Sequence, residues 1–200
     1  IHMVKFVFLE LKKAVSLDLR GLAFIRILLG VFLLADLTTR ITDLKAFYTT
    51  GGVLPIPELY NLTSLANTFS FHTMNGTIYW QAFMFILTAI FAIGLIIGYR
   101  TTLMTFLCWI MIVSMQNRNP VILQGGDVVV RMTFFWCMFL PLGARFSWDR
   151  FRAKANKILH ENRYTSLATF ALIAQIAMIY FFAALLKTGA EWRSEYSAVY

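Results

Sequence analysis

Apolar residues along this chain gather into five long runs separated by short polar stretches: Gly21 to about Leu37, Ile78 to Tyr99, Thr101 to Met115, Val128 to Gly143 and Tyr164 to Lys187. A helix that crosses a bilayer needs ~20 mostly apolar residues. Each run therefore predicts a span, with the third short and the fourth ended by Pro141. Gly98-Tyr99-Arg100-Thr101, between the second and third runs, predicts a tight helical hairpin. The expected fold is all-α, a polytopic transmembrane helical bundle of about five spans forming one domain over 4–200. Ile1-His2-Met3 reads as a cloning remnant, and the chain is expected to continue beyond Tyr200.

The polar stretches alternate in charge. Lys5, Lys12, Lys13 and Arg20 precede the first run, Arg100 follows the second, and Arg145, Arg150, Arg152, Lys154, Lys157 and Arg163 follow the fourth. The opposite side carries Arg40, Lys45, Arg118 and Arg193. Lysine and arginine are retained on the cytoplasmic side. The expected topology thus has a cytoplasmic N-terminus and places Lys187 at the extracytoplasmic end of the fifth span, in the cytoplasmic membrane. Trp148, Phe151, Ala155 and Ile158 recur at helical spacing among basic residues, which suits a cytoplasmic interfacial amphipathic helix as well as an ordinary basic loop. The stretch from Arg40 to Thr77 is too long for a simple connector; Gly51-Gly52, Pro55 and Pro57 predict a turn and an extended piece.

Composition agrees with a membrane protein. Hydrophobic residues make up 59% of the chain and charged residues 14%, with a mean hydropathy of +0.68. The net charge of +8 is accounted for by the basic loops and does not imply nucleic acid. Cys108 and Cys137 lie in apolar runs without the spacing of a disulfide framework or a zinc site, so no metal is expected.

Ionisable groups within spans are costly and usually face a partner. Arg26 and Asp36 are too far apart to pair along one helix, so each needs water or a partner elsewhere; Arg26 is also placed to snorkel to the inner headgroups. Asp127 and Arg131, spaced i, i+4, are expected to form an ion pair. Tyr180, Ala183, Ala184 and Lys187 share a helical face. Lys187 is either a cationic anchor at the headgroups or, if held out of water, a neutral amine able to act as a general base.

Six stretches carry a family resemblance: RILLGVFLLAD (Arg26 to Asp36), FYTTGGVLP (Phe47 to Pro55), GLIIGYRT (Gly94 to Thr101), NRNPVILQGGDVVVR (Asn117 to Arg131), LPLGARFSWD (Leu140 to Asp149) and YFFAALLKTGAEWRSEYSAVY (Tyr180 to Tyr200). In this order they resemble the HTTM domain. That domain is the membrane portion of vitamin K-dependent gamma-glutamyl carboxylase and of bacterial proteins such as the sporulation-delaying protein B group, to which the chain looks closer. In the carboxylase, a lysine in a stretch similar to FFAALLKTGAEW deprotonates vitamin K hydroquinone. The resemblance implies that role for Lys187, on reduced vitamin K or menaquinone. The carboxylase also has a histidine in the segment aligned with Asn117 to Pro120, and a large extracytoplasmic domain. This chain lacks that histidine and has no room for such a domain before Tyr200. Carboxylation of protein glutamates is therefore not implied; the bundle, the lipid-facing pocket and the lysine are.

Two functions follow. In the first, Lys187 is the base for a lipophilic quinol or related substrate, with Asn117, Arg118, Asn119, Asp127, Arg131, Tyr180, Trp192 and Glu195 as pocket groups. In the second, the protein is a non-catalytic membrane partner in maturation or export of a secreted peptide. A transporter ranks last, because no internal repeat stands out.

Overall fold

The computed structural model describes residues 10, 13–61, 69–152, 162–189 and 192. They fall into two compact units, Leu17–Tyr164 and the pair of segments Ile1–Ser16 and Thr165–Tyr200. The fold is helical, and three helices are long and apolar enough to cross a membrane: α1 (Leu19–Ile41), α4 (Ile78–Ile97) and α8 (Leu167–Leu186).

In the larger unit α1 begins at Asp18, whose carboxylate accepts the Arg20 N–H at 2.7 Å, an ordinary N-cap. α1 and α4 run antiparallel: Arg26 lies against Leu95 and Gly98, Gly30 against Ala92 and Ile96, and Leu37 packs with Phe85. Gly30 permits this approach, since a Cβ there would sit 3.0 Å from the Ala92 carbonyl oxygen. Within a bilayer, small residues and close van der Waals packing hold helices together, because the lipid tails are as apolar as the side chains.

α4 ends at Gly98 (φ +79°) and α5 (Thr101–Arg118) starts directly after Arg100 (φ +43°), forming the expected hairpin. α6 (Gly125–Cys137) completes the core, where Leu33, Ala92, Leu95, Cys108, Ile112 and Phe134 from four helices are buried together.

Several boundaries differ from expectation. α6 starts three residues before Val128 and ends well before Pro141. Met138, Phe139 and Leu140 donate to carbonyls three residues back, tightening the chain into turns ahead of a proline that cannot continue a helix. The long first connection carries helical pieces among its described residues. It folds into α2 (Leu44–Tyr48), a turn, α3 (Ile56–Asn61) and a 3-10 turn at Phe71–Thr73. Of the basic amphipathic segment, α7 (Trp148–Arg152) is helical, while Ala155 and Ile158 lie outside the described residues. The strands are two-residue pieces, β1 (Leu17–Asp18) and β2 (Arg163–Tyr164), paired antiparallel.

In the smaller unit α8 opens with a capping box between Ser166 and Thr169. It ends at Lys187, whose N–H donates to the Ala184 carbonyl at 3.4 Å. Most of its apolar side chains are exposed, as suits a helix facing lipid.

Candidate functional site

At the end of the larger unit where α1 stops, Arg40 ties together α1, α2 and α6. Its Nε donates to both Asp36 carboxylate oxygens (2.9 and 2.8 Å), Nη1 to the Tyr48 hydroxyl (3.1 Å) and Nη2 to Asp127 Oδ1 (2.7 Å). Asp36 thus finds its partner four residues on, by the same spacing that suggested the Asp127–Arg131 pair. That second pair does not form. Because α6 begins at Gly125, Asp127 occupies the third helical position, and its Oδ2 turns back to accept the Gln124 N–H at 2.8 Å. This reversal aims the carboxylate at Arg40, away from Arg131.

Asn117, Arg118 and Asn119 reach into the first connection. Arg118 is fully buried and donates to the carbonyls of Tyr48, Thr49 and Leu54 at 3.0, 2.8 and 3.0 Å. Asn119 donates to the Phe47 carbonyl and Asn117 to the Phe69 carbonyl, both at 3.0 Å. Three consecutive residues therefore fix three pieces of the loop. Tyr48, clamped between Arg40 and Arg118, stacks edge-on against Phe85 with centroids 5.2 Å apart, and burial pushes its phenol up.

His72, which the sequence did not single out, is buried beside Tyr48, and its Nδ1 lies 2.7 Å from Gln81 Oε1. Gln81 Nε2 already donates to the His72 and Asn75 carbonyls. Oε1 is therefore the acceptor, which assigns the proton to Nδ1. Burial pushes the imidazole down to about 4, against the Gln81 hydrogen bond and with help from the Arg118 guanidinium. The folded value lies below the ordinary ~6.5. His72 therefore contributes stability that is fully present above ~6.5 and lost as pH falls toward ~4, by up to ~3 kcal/mol. Thermal unfolding in detergent between pH 7 and 4 should show a steeper loss in wild type than in His72→Asn. Equal slopes would remove His72 from this role.

The other end of the larger unit is basic. It carries Arg20, Arg100, Arg145, Arg150, Arg152 and Arg163 against Asp18 and Asp149. Arg26, fully buried, donates to the Leu95 carbonyl (3.2 Å) and the Phe146 carbonyl (2.6 Å). It does not snorkel to the surface, because those carbonyls meet its guanidinium inside the bundle. The Asp149 carboxylate caps α5, accepting from Arg100 N (2.7 Å), Thr101 N (2.8 Å) and the Thr101 hydroxyl (3.2 Å).

In the smaller unit Lys187 is exposed, and its ammonium lies over the Trp192 ring, 4.0 Å from the centroid. Tyr180 is exposed on the same helix, and Glu195 lies outside the described residues. The site residues read from the sequence thus fall into two groups. Asn117, Arg118, Asn119 and Asp127 belong to the network of the larger unit, with Arg131 one turn along α6; Tyr180, Lys187 and Trp192 belong to the smaller. No family model, no curated protein and no solved structure matches the chain.

Proposed function

We propose that this chain is a multi-pass protein of the bacterial cytoplasmic membrane, of the HTTM type. In this reading α1, α4, α5, α6 and α8 all cross, and the Arg26 end of the larger unit faces the cytoplasm. Lys187 serves as general base toward a lipophilic quinol or related substrate on the extracytoplasmic side. The concentration of arginine at the Arg26 end supports the orientation.

The contact of Lys187 with Trp192 supports the chemical reading. These are the two residues whose spacing matches the carboxylase-like stretch. A cation resting on an indole is held by the ring quadrupole, and a flat quinol ring is the kind of group that can take its place over Trp192. Lys187 Nζ, in its unprotonated form, is then the acceptor for the quinol hydroxyl proton. Tyr180 lies two turns back on the same face of α8.

The test is quinone epoxide formation from reduced menaquinone under oxygen, with the protein reconstituted in lipid. Wild type should form epoxide; Lys187→Ala and Lys187→Arg should both fall by ~100-fold or more, as for loss of a general base. The arginine variant is the informative one, because a guanidinium keeps the charge and the ring contact but does not deprotonate. Equal activity in the variants, or none from folded wild type, overturns the reading.

A second reading is favoured by the exposure of Lys187. Here its ammonium and Trp192 anchor the end of α8 at the membrane surface, and the protein is a non-catalytic partner in maturing or exporting a secreted peptide. The loop held by Asn117, Arg118 and Asn119 would then be the binding surface. Lys187→Arg would be silent, and a peptide or membrane partner would co-purify with wild type.

A further inference from the structure

The basic end of the larger unit presents a surface that neither reading uses. Phe146, Trp148 and Phe151 are 72%, 46% and 81% exposed, beyond the ends of the core helices. The backbone holds them outward. Phe146 adopts a left-handed conformation (φ +49°) that a bulky side chain rarely takes, and its carbonyl is bound by buried Arg26. The neighbouring Ser147 is buried, donating its hydroxyl proton to the Gly143 carbonyl at 2.5 Å and accepting the Arg150 N–H at 3.0 Å. The Trp148 and Phe151 rings pack 5.7 Å apart. With Phe146, Ser147 and Arg150 they line a shallow, wide-open groove.

Charge and depth identify the occupant. Arg145, Arg150 and Arg152 neighbour the aromatic residues along the chain, and Arg100 joins them through the Asp149 cap; among the described residues the acids at this end are Asp18 and Asp149, whose carboxylates cap the starts of α1 and α5. The Asp149 N–H donates to the Gly98 carbonyl at 3.1 Å, which ties the groove to the terminus of α4, a helix long and apolar enough to span. Where α4 crosses, the groove lies at the membrane boundary. Aromatic rings at that depth enter the glycerol and upper acyl region, and guanidinium groups meet phosphates. We infer that this groove binds anionic phospholipid of the leaflet it faces. The inference rests on the membrane reading alone and is independent of Lys187.

The test is native mass spectrometry of the protein purified in detergent with equal amounts of phosphatidylglycerol and phosphatidylcholine. Wild type should retain phosphatidylglycerol over phosphatidylcholine by roughly thirtyfold, the scale expected for two interfacial arginines. Arg150→Glu/Arg152→Glu should abolish the preference, and the neutral pair Arg150→Gln/Arg152→Gln should reduce it. Phe146→Ser/Phe151→Ser should lower retention of both lipids while keeping the ratio. Helical circular dichroism and the unfolding midpoint check that each variant is folded. None of these substitutions touches Arg26 or Asp149, which hold the turn. Equal retention by wild type, or an unchanged preference in the folded glutamate pair, overturns the inference. So does capture of polyglutamate at the same arginines without lipid enrichment, which would assign the surface to an acidic protein partner.

Discussion

Gly98→Ala should lower stability by roughly 4 kcal/mol, combining left-handed strain with loss of charged hydrogen bonds. Gly98 has a φ of +79°, and a Cβ there would overlap Arg26 Nη1. The guanidinium cannot simply move aside, because it is buried and its other nitrogen is bound to the Phe146 carbonyl. Displacing it would strand a charge in the bundle and release the turn over 143–149. The measurement is the thermal midpoint in detergent, where a fall on the order of 10 °C is expected. Arg26→Met alone should also destabilise, and the double variant should lose much less than the sum, because the overlap is gone once the guanidinium is gone. Strict additivity, or a loss below ~1 kcal/mol in Gly98→Ala, would show that the turn yields.

Arg40→Met should cost ~2–4 kcal/mol, somewhat less than for breaking a fully buried ion pair. The Asp36 and Asp127 side chains are 21% and 17% exposed and share this one guanidinium. Without it, two carboxylates face each other and the Tyr48 hydroxyl loses its partner. Replacing all three as Asp36→Asn/Arg40→Met/Asp127→Asn should recover most of the loss, since the penalty comes from uncompensated charge. Chemical unfolding in detergent at pH 7 measures both. A single variant within ~0.5 kcal/mol of wild type, as for an ordinary surface position, would mean that water already carries these charges.

The two networks were legible to different degrees. Asp36 and Arg40 stand four apart in one helix, so their contact is as legible in the spacing as an Asp127–Arg131 pair. Choosing between them needed the start of α6, because a shift of three residues turns Asp127 from a side-by-side partner into a capping group. Arg118 and the flanking asparagines stood out as polar residues in an apolar chain, which is the correct signal for a constrained site. That their donors serve the carbonyls of a loop about fifty to seventy residues earlier leaves no trace in local spacing. His72 gave no signal at all, since a lone histidine in a loop is buried or exposed only by what folds over it.

By itself the sequence determined that the chain is helical, that at least three segments are apolar enough to enter a bilayer, and where the α4–α5 hairpin turns. These properties depend on residues within a few positions of one another, where hydrophobic periodicity and a glycine decide the outcome. Only the tertiary structure decided that Arg26 points inward, that Arg40 bridges Asp36 to Asp127, and that the first connection folds into short helices pinned from α5. Those outcomes depend on which carbonyl or carboxylate a buried cation meets. A charge taken out of water must take whichever partner the packing brings within reach.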